Sequence, residues 1–477
     1  MENVKLVEKV VIAPEKPKQP RRLFLSNIDL ALVVYQETVI FFDPPSNGMS
    51  FSEAYHSLFR TLGPLLAEFD FLAGRLVPSL EDSNRFEIEC NGAGVVVAAA
   101  RTDTKLDELG ELLVPKKEFR QFVAFLPQED EEMDLKDKPL VSFQVCCYRH
   151  FTIQISPSDQ SLAVKNEQKS QIGHSNVCLL CQFTQLGCGS LVFASRFNHC
   201  AVDGVAVREF EANLAALTRG GNLVIRPNAD RTMFKARNPP NISFPHFEYS
   251  KATDRTGIFT VRGMSGTNMK LSTTLNPTRL IYLSKDRIAS LKKAALKDGK
   301  LKSCTSFQVV AAMTWKARSI AVDMPDEKIS TILIPVNVRK RVVPPAPPGF
   351  AGNALVPAFA HATVKELKEE DDSSLVRKVQ EGVERLDDEY VRSGIDWLEV
   401  NKGVPCEEDS FSLVSWWKLG IEHGEFSWGQ VKCTTSVLLK PGLVMLLPGP
   451  EGKGGLSICL ELPDDQMELF CRLMLGE

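Results

Sequence analysis

The residues best suited to chemistry in this chain are His199, Asp203 and Gly204, which form a His-x-x-x-Asp-Gly motif at the end of an apolar run. An imidazole has an ordinary pKa of about 6.5, so His199 is a usable general base close to neutral pH. Such a base can take a proton from an attacking hydroxyl or amine. The competing interpretation is structural: a histidine satisfied by its neighbours, followed by an aspartate that caps a helix.

The segments on either side of this motif predict a strand followed by a helix. Residues 190–197 are rich in the β-branched and aromatic side chains that suit a buried strand. Downstream, four apolar residues recur at helical spacing: Val207, Phe210, Leu214 and Leu217. Asp203 suits the N-terminal cap of that helix, and Gly220-Gly221 suits its end. His199 is therefore expected in a strand-to-helix turn, where its side chain can project into a cleft.

A second motif, Gly-Glu-Phe-Ser-Trp-Gly at residues 424–429, precedes another apolar run near the C-terminus. Together the two motifs resemble the two signatures of the plant BAHD acyltransferases, enzymes that move an acyl group from coenzyme A to an alcohol or amine. Short matches to the same family occur in order along nearly the whole chain, at residues 25–29, 72–76, 90–94, 139–141, 305–307, 315–318, 335–339, 349–353 and 415–416. So many ordered matches identify the chain as a member of this family.

The resemblance implies an α/β fold of two similar chloramphenicol acetyltransferase-like domains. Each domain has a mixed sheet with helices, and the active-site cleft lies at their interface. The sequence is consistent with this architecture, because strand-like runs at 39–42 and 332–336 alternate with helical stretches at 51–59 and 285–296.

The domain boundaries are predicted from a stretch with little periodicity. Residues 228–276 carry Pro, Asn and Thr without a helical or strand pattern, which is typical of a crossover linker. We therefore expect an N-terminal domain at 1–227, which carries the histidine motif, and a C-terminal domain at 277–477.

The resemblance also implies roles for individual residues. His199 takes the proton from the acceptor as it attacks the thioester carbonyl, so no covalent acyl-enzyme is required. Asp203 supports the geometry of the turn and is not a second catalytic acid. In the hydroxycinnamoyl-transferring branch, a hydroxyl residue followed by Ser-Trp lines the site. Here Val414 replaces that hydroxyl residue, which leaves Trp416 as an oxyanion donor or substrate contact. The remaining motif residues are structural supports: Gly204, Glu425, Phe426, Trp428 and Gly429.

The second motif departs at two positions from the family pattern, Asp-Phe-Gly-Trp-Gly. Glu425 keeps the charge on a longer side chain, and Ser427 replaces a glycine that adopts positive φ freely. In the family this motif supports a loop and the coenzyme channel, away from the reacting atoms. The departures motivate an alternative function, that of a non-enzymatic relative assisting very-long-chain fatty acid elongation.

The acceptor is the least determined part of the predicted reaction. The shikimate-using members hold the acceptor carboxylate with an arginine, where this chain has Asn401 and Lys402. A lysine supplies a point charge without the bidentate fork of an arginine, so shikimate is disfavoured. Residues 25–29 and 230–240 look more like members that use long-chain alcohols, ω-hydroxy acids or polyamines. We predict hydroxycinnamoyl transfer to a fatty alcohol or ω-hydroxy fatty acid, with polyamine N-acylation as the alternative. Acyl-CoA is then a co-substrate, and no permanently bound cofactor is expected.

Composition excludes several other classes of protein. The chain has 477 residues, of which 44% are hydrophobic, as expected for two globular domains. The net charge of -4 gives no electrostatic reason to expect nucleic acid binding. No apolar stretch is long enough for a signal or a membrane span, and we expect a cytoplasmic monomer. The twelve cysteines are expected to be reduced. One group of them, with two histidines, has a single Cys-x-x-Cys pair and matches no standard zinc site, so no metal is assigned: Cys146, Cys147, His150, His174, Cys178 and Cys181.

Residues 145–182 match nothing in the family and are predicted to interrupt a hairpin. Removing them restores the usual spacing between 139–144 and the Cys-Gly pair at 188–189. Gln144-Val145 can be encoded as a splice-donor-like junction, and residues 177–182 as a pyrimidine-rich tract ending in CAG. We hypothesise that a short in-frame intron has been translated here. If the segment belongs to the native protein, it is a polar surface loop next to the active site.

Overall fold

The computed structural model describes residues 4–16, 18–123, 140–146, 181–251, 276–405, 409–420, 424–440 and 442–476. The strands in this part of the chain are β1 Val4–Ile12, β2 Arg21–Phe24, β3 Tyr35–Phe42, β4 Arg75–Pro78, β5 Phe86–Cys90, β6 Val95–Thr102, β7 Val141–Cys146, β8 Cys181–Gln185, β9 Leu191–Asn198, β10 Tyr249–Ser250, β11 Thr278–Leu283, β12 Ile329–Asn337, β13 Leu355–Thr363, β14 Val404–Pro405, β15 Ser410–Ser415, β16 Glu425–Phe426, β17 Gly429–Ser436, β18 Leu443–Pro448 and β19 Leu456–Glu461. The α-helices are α1 Asn27–Leu30, α2 Phe51–Glu68, α3 Gly204–Thr218, α4 Lys285–Leu296, α5 Ser306–Ala321, α6 Val364–Glu369, α7 Asp372–Glu384, α8 Asp388–Asn401 and α9 Asp464–Leu475.

The first half of the chain builds most of one mixed sheet, in the order β1-β6-β7-β8-β9-β3-β17-β16. Strand β3 runs antiparallel to β9 on one side and to β17 on the other. Side chains alternate along β3, so that Ile40 and Phe42 pack in the core that includes α2 and α3. Val39 and Phe41 pack on the opposite face, in a cluster with Phe119. Because both faces of the sheet are covered here, the paired halves of β3 and β9 are continuous apolar runs, at residues 39–42 and 191–194.

The second half builds a six-stranded mixed sheet, in the order β11-β19-β18-β15-β12-β13. Helices α4, α5, α7 and α9 pack into the core on one face of this sheet. In that core the fully buried Trp315 of α5 donates its indole N–H to the Ser330 hydroxyl at 3.0 Å. The opposite face carries a smaller apolar group, the wall cluster, defined as Leu439, Met445, Leu447 and Cys459. Two mixed sheets covered by helices confirm the predicted α/β fold class.

A hairpin from the C-terminal half completes the first sheet. Strands β16 and β17 pair with each other, and β17 pairs with β3, with Thr435 opposite Val39. This hairpin belongs to the predicted range 277–477, so a boundary at residue 277 does not separate the two sheets. Hydrophobic periodicity predicts that a strand exists. It does not predict which strand will pair with it, because that depends on the register and on which sheet edge is left unpaired.

The periodicity also located several elements in advance. The predicted stretches and their counterparts are 39–42 in β3, 51–59 in α2, 190–197 with β9, 285–296 in α4 and 332–336 in β12. Helix α2 runs further than predicted, to Glu68, and continues through Pro64. Its start is fixed by a capping box, in which Ser50 accepts from the Glu53 backbone and the Glu53 carboxylate bonds back to Ser50.

The predicted crossover is irregular where the structure describes it, with a short 3₁₀ turn at Thr232–Phe234 and the two-residue strand β10. It is tied to α8 by Arg237, whose guanidinium lies 2.6 Å from Asp396 and 2.9 Å from Glu389. Residues 252–275 of the predicted crossover lie outside the described residues.

Strands β7 and β8, which contain the two ends of the segment 145–182, both lie between β6 and β9, and they also pair with each other at Gln144 and Gln182. Val145 of β7 lies opposite Phe193 of β9, and Thr184 of β8 lies opposite the next residue, Val192. The parallel pairing with β6 also advances by one residue between Val145 and Thr184. Cys146 and Thr184 both pair with Val192, so the two ends of the segment share one place in the sheet. The backbone register therefore treats residue 183 as the equivalent of residue 145.

Candidate active site

His199 follows the last residue of β9 and precedes α3, as the sequence predicted. Its backbone N–H donates to the Val34 carbonyl at 2.7 Å, which fixes the turn against the chain entering β3. Its side chain is half-buried. The strand end therefore presents an imidazole that is held by its own backbone and is not packed inside the core.

The imidazole bonds to a residue from the other half of the chain. His199 Nδ1 lies 3.1 Å from Asn353 Oδ1, and Asn353 Nδ2 donates to the His199 carbonyl at 2.8 Å. Asn353 is fully buried in the loop before β13. The asparagine side chain therefore contacts both the ring and the backbone of the same histidine across the two halves.

Burial lowers the pKa of His199 below its ordinary value, because a desolvated imidazolium is disfavoured. The nearby positive charge of Lys440 lowers this pKa as well, whereas the Asp203 carboxylate and the hydrogen bond to Asn353 raise it. The net shift is downward, so the ring is neutral at neutral pH. A neutral imidazole has the free lone pair that a general base requires.

Asp203 has the capping position that the sequence predicted. Its side chain accepts the backbone N–H groups of Val205 at 3.1 Å and Ala206 at 3.0 Å, at the start of α3. It also accepts the N–H of Ala354 at 3.1 Å and lies in a bidentate pair with Arg339, at 2.8 and 3.0 Å. With its side chain fully buried and both oxygens bonded, Asp203 supports the turn.

The sequence prediction gave no role to Arg339, although Arg339 ends the matched stretch 335–339. Besides Asp203, its guanidinium donates to the carbonyls of Phe350 at 3.1 Å and Gly352 at 2.9 Å. These bonds join the N-terminus of α3 to the loop that carries Asn353. A charged residue in a matched stretch at the end of a strand could have indicated a role for Arg339. Its partner, Asp203, could not be predicted without the fold.

Trp416 lies on the face of the second sheet that carries the wall cluster. Its backbone N–H donates to the Leu446 carbonyl of β18 at 2.8 Å, and its side chain packs against the wall cluster beside Leu113. Lys440, whose charge acts on His199, directly follows a member of that cluster. Within the described residues, Trp416 and His199 share no hydrogen bond, so the structure does not join the two side chains.

The second motif packs by aromatic contacts. Phe426 and Trp428 stack with ring centroids 4.9 Å apart, and both meet Phe42 of β3 edge-on, at 5.4 and 6.0 Å. Both side chains are buried in the core of the first sheet. Gly429 has a φ of +142°, which favours glycine there, whereas a side chain on Gly204 would have Leu419 as its nearest neighbour at an ordinary distance, 3.8 Å.

The two departures in this motif are accommodated by the structure. The chain has few non-glycine residues with positive φ in its described part, and Ser427 is not among them, so the backbone there does not require a glycine. The Ser427 hydroxyl lies 3.2 Å from that of Ser57. Glu425 is exposed and lies 3.7 Å from the guanidinium of Arg219. The longer carboxylate therefore keeps a partner at the surface.

The positions considered for an acceptor carboxylate are engaged elsewhere. Lys402 ends α8 with a φ of +49°, and its ammonium lies 3.1 Å from Glu399. Asn401 donates to the Trp397 carbonyl at 3.0 Å. Glu399 is in turn paired with Arg85 at 2.7 Å, so the two cations share one carboxylate.

Most of the group Cys146, Cys147, His150, His174, Cys178 and Cys181 lies outside the described residues, and the side chains of its two members in β7 and β8 are not described. Across the described ranges, no cluster of three or more His, Cys, Asp or Glu side chains could hold a metal ion. No helix in those ranges is long and apolar enough to cross a membrane.

Comparisons with known proteins agree with these features. The sequence model of the Transferase family matches residues 2–156 and 153–474, and these two stretches meet inside the segment 145–182. Acyltransferase GLAUCE of Arabidopsis thaliana is 32% identical over 482 residues, which cover 98% of this chain and 94% of that protein. Omega-hydroxypalmitate O-feruloyl transferase of the same plant is 27% identical over 97% of this chain and 91% of its own length. The crystal structure of vinorine synthase has a TM-score of 0.70 at 18% identity, covers 99% of this chain and 98% of its own, and shows the shared fold alone.

Proposed function

We propose that this chain, which belongs to the Transferase family and is an acyl-CoA-dependent acyltransferase, moves a hydroxycinnamoyl group from coenzyme A to an aliphatic hydroxyl. The proposed acceptors are fatty alcohols and ω-hydroxy fatty acids. The observation that carries the proposal is the imidazole of His199 at a strand end, hydrogen-bonded to Asn353 from the other half of the chain. Burial lowers the pKa of this ring, which favours the neutral form that a base requires.

In the proposed mechanism His199 acts as the general base and no acyl-enzyme forms. The ring takes the proton of the acceptor hydroxyl as the oxygen attacks the thioester carbonyl, which gives a tetrahedral oxyanion. When the intermediate collapses, the carbon–sulfur bond breaks, and the imidazolium returns the proton to the departing sulfur. The acyl group is then an ester of the acceptor, and free coenzyme A is the second product.

The supporting residues divide into two proposed roles. Asp203, with both oxygens engaged by α3, Ala354 and Arg339, holds the turn and takes no part in proton transfer. Trp416 is proposed as an oxyanion donor or a substrate contact, and its place on the wall cluster near Lys440 supports this.

The acceptor class rests in part on how the lysine at the expected place is engaged. Lys402 is already held in an ion pair with Glu399, so a carboxylate such as that of shikimate would have to compete with that pair for a cation that has no bidentate fork. The similarity to the feruloyl transferase named for ω-hydroxypalmitate supports an aliphatic hydroxyl. Polyamine N-acylation is the alternative acceptor chemistry. Assays with both hydroxyl and amine acceptors distinguish the two.

The alternative hypothesis, a non-enzymatic partner in fatty acid elongation, is no longer favoured by the altered second motif. It was raised by the altered second motif, but Ser427 has no positive φ and Glu425 keeps an ion pair with Arg219. Neither departure disturbs the stacked Phe426 and Trp428.

The test is release of free coenzyme A from caffeoyl-, feruloyl- or p-coumaroyl-CoA with a panel of fatty alcohols, ω-hydroxy acids, spermidine and shikimate. The His199→Ala variant is expected to lose at least about 100-fold of acceptor-dependent release, the usual contribution of a general base. His56→Ala, which removes a histidine from α2, is the matched control and should retain activity. A folded His199→Ala protein with undiminished release would refute the base assignment. Release with spermidine alone would replace the hydroxyl acceptor by an amine.

A further inference from the structure

We propose that Asp29 is a positioning residue for this reaction: its carboxylate sets the orientation of the Asn353 amide, which holds the His199 proton on Nδ1 and leaves Nε2 free. This inference rests on the proposed function of His199 as the base. It adds a residue far from the histidine motif, on the short helix α1, to the machinery of proton transfer.

The first step of the argument is the direction of the Asn353 amide. Its Nδ2 lies 2.9 Å from Asp29 Oδ1 and 2.8 Å from the His199 carbonyl oxygen. A carboxylate oxygen and a carbonyl oxygen can only accept, so both contacts require the NH₂ end of the amide. Turning the amide over would place its oxygen against two acceptors, which is repulsive. The NH₂ end is therefore fixed on that side.

The second step is the tautomer of His199. With the NH₂ group engaged, Asn353 presents Oδ1 to His199 Nδ1 at 3.1 Å. An amide oxygen accepts only, so Nδ1 must carry the proton, and in a neutral ring the other nitrogen, Nε2, then has the lone pair. The hydrogen-bond pattern thus assigns Nε2 as the atom that accepts the proton from the acceptor.

The third step is the rigidity of Asp29 itself. Besides Asn353 Nδ2, its Oδ1 accepts the backbone N–H of Asn353 at 2.9 Å. Its Oδ2 accepts the backbone N–H and hydroxyl of Ser26, at 2.8 and 2.7 Å, and lies 3.4 Å from Arg231 Nε. The side chains of Asp29 and Arg231 are fully buried. A carboxylate so bound cannot rotate away, so it transmits a fixed direction to the amide.

Arg231 anchors this arrangement to the backbone near the histidine. Its guanidinium donates to the carbonyl of Ala201, two residues after His199, at 2.6 Å. The residues that set the tautomer thus come from α1, from the turn after β9, from the start of the crossover and from the loop before β13. Such a device needs no ligand to be in place and is pre-organised for the reaction.

The direct test is the ring tautomer of His199 in the full-length protein, read from nitrogen chemical shifts after ¹⁵N-histidine labelling and assigned by the loss of its signals in His199→Gln. In the wild type, Nδ1 is expected to be protonated and Nε2 unprotonated. In Asp29→Asn, an amide can face Asn353 with its own NH₂ group, so the Asn353 amide is no longer held and the Nε2–H form should appear. A wild-type ring with the proton on Nε2 would overturn the proposal.

Kinetics give a second readout. Asp29→Asn is expected to lower kcat by about 10- to 100-fold, by analogy with the loss of a partner that orients a metal-ligating histidine. KM for both substrates should stay unchanged. With the Asn353 NH₂ group able to face the ring, the charged imidazole is further disfavoured, so the acid limb of the kcat/KM profile should move to lower pH. An unchanged tautomer and acid limb in a folded Asp29→Asn protein would refute the role of Asp29.

Two further variants keep the test decisive. Because Asp29→Asn leaves Arg231 buried without its carboxylate, the double variant Asp29→Asn with Arg231→Met removes both charges, and the same tautomer change is expected. Asp396→Asn is the matched control, since Asp396 is also buried and paired with an arginine but lies on α8. It should leave the His199 tautomer and acid limb unchanged. If His199→Gln retains full transfer, the proposed function fails while the tautomer remains measurable, so the two failures are distinguishable.

Discussion

The two signature motifs are held in different ways. In the first, every polar side chain has fixed partners from distant parts of the chain: Asp203 pairs with Arg339 and His199 with Asn353. In the second, Phe426 and Trp428 stack on each other, and the charged Glu425 lies at the surface. A substitution in the first motif leaves a buried polar group without its partner, which is costly. The second motif tolerates its two departures because each falls where neither a buried partner nor a positive φ is required.

The largest effect is expected from Asp203→Ala. This change leaves the guanidinium of Arg339, which is largely buried, without its carboxylate and removes the cap of α3. The expected loss of stability is about 3–5 kcal/mol, with loss of turnover, measured by denaturant unfolding and coenzyme A release. The matched change in the other motif is Glu425→Gln, whose exposed pair with Arg219 is worth about 0–1 kcal/mol. Equal losses of stability from the two changes would contradict the claim that only the first motif depends on buried polar pairs.

Trp428→Ala should separate stability from chemistry. Removing a fully buried indole from the stack with Phe426 is expected to lower the free energy of unfolding by about 3–5 kcal/mol. Transfer per folded molecule should fall far less than with Asp203→Ala, because both rings of the stack are buried in the core of the first sheet. Ser427→Gly is the control and should change stability by less than about 1 kcal/mol. A Trp428→Ala protein of unchanged stability but abolished turnover would place the second motif in the chemistry.

A smaller effect is expected from Lys440→Met on the pH dependence of transfer. The base works as the neutral ring, and burial together with the Lys440 charge lowers the pKa of His199, so the acid limb of kcat/KM should lie below the ordinary histidine value of about 6.5. Removing the lysine charge raises the pKa of His199, and the acid limb should move to higher pH by less than about one unit. Lys432→Met, at an exposed site on β17, is the control and should leave the limb in place. A downward shift with Lys440→Met would contradict this electrostatic account.

The smallest effect is expected from deleting residues 145–182. In the sheet register residue 183 can take the place of residue 145, so the shortened chain should pair with β6 and β9 as before. Coenzyme A release is expected to stay within about twofold, and the melting temperature should not fall. Deleting 145–181 is the matched control, because its one extra residue turns every following side chain in the strand to the other face. If both deletions behave alike, β7 and β8 are not two halves of one strand.

Amplifying the transcript across this junction would test the translated-intron hypothesis separately.

Local chemistry was sufficient for much of the site. The apolar run predicted β9, the helical spacing predicted α3, and Asp203 was placed as its cap before any contact was known. The resemblance assigned the proposed role of base to His199. The partners could not be predicted, because Asn353 lies 154 residues from His199 in sequence, and nothing in its own stretch indicates a histidine opposite. The same reason left Asp29 and Arg339 as matched residues without a role.

By itself, the sequence determined the elements whose causes are local: the strand that ends at His199, the cap and face of α3, and the apolar character of Phe426 and Trp428. Only the tertiary structure decided that β17 pairs with β3, that Arg339 closes on Asp203, and that Asp29 reaches the base through Asn353. Strand and helix signals arise from neighbours a few residues apart, whereas register and buried polar pairing depend on groups brought together by packing of the whole chain. The proposed geometry of proton transfer depends on such buried polar pairing, and local sequence signals do not determine it.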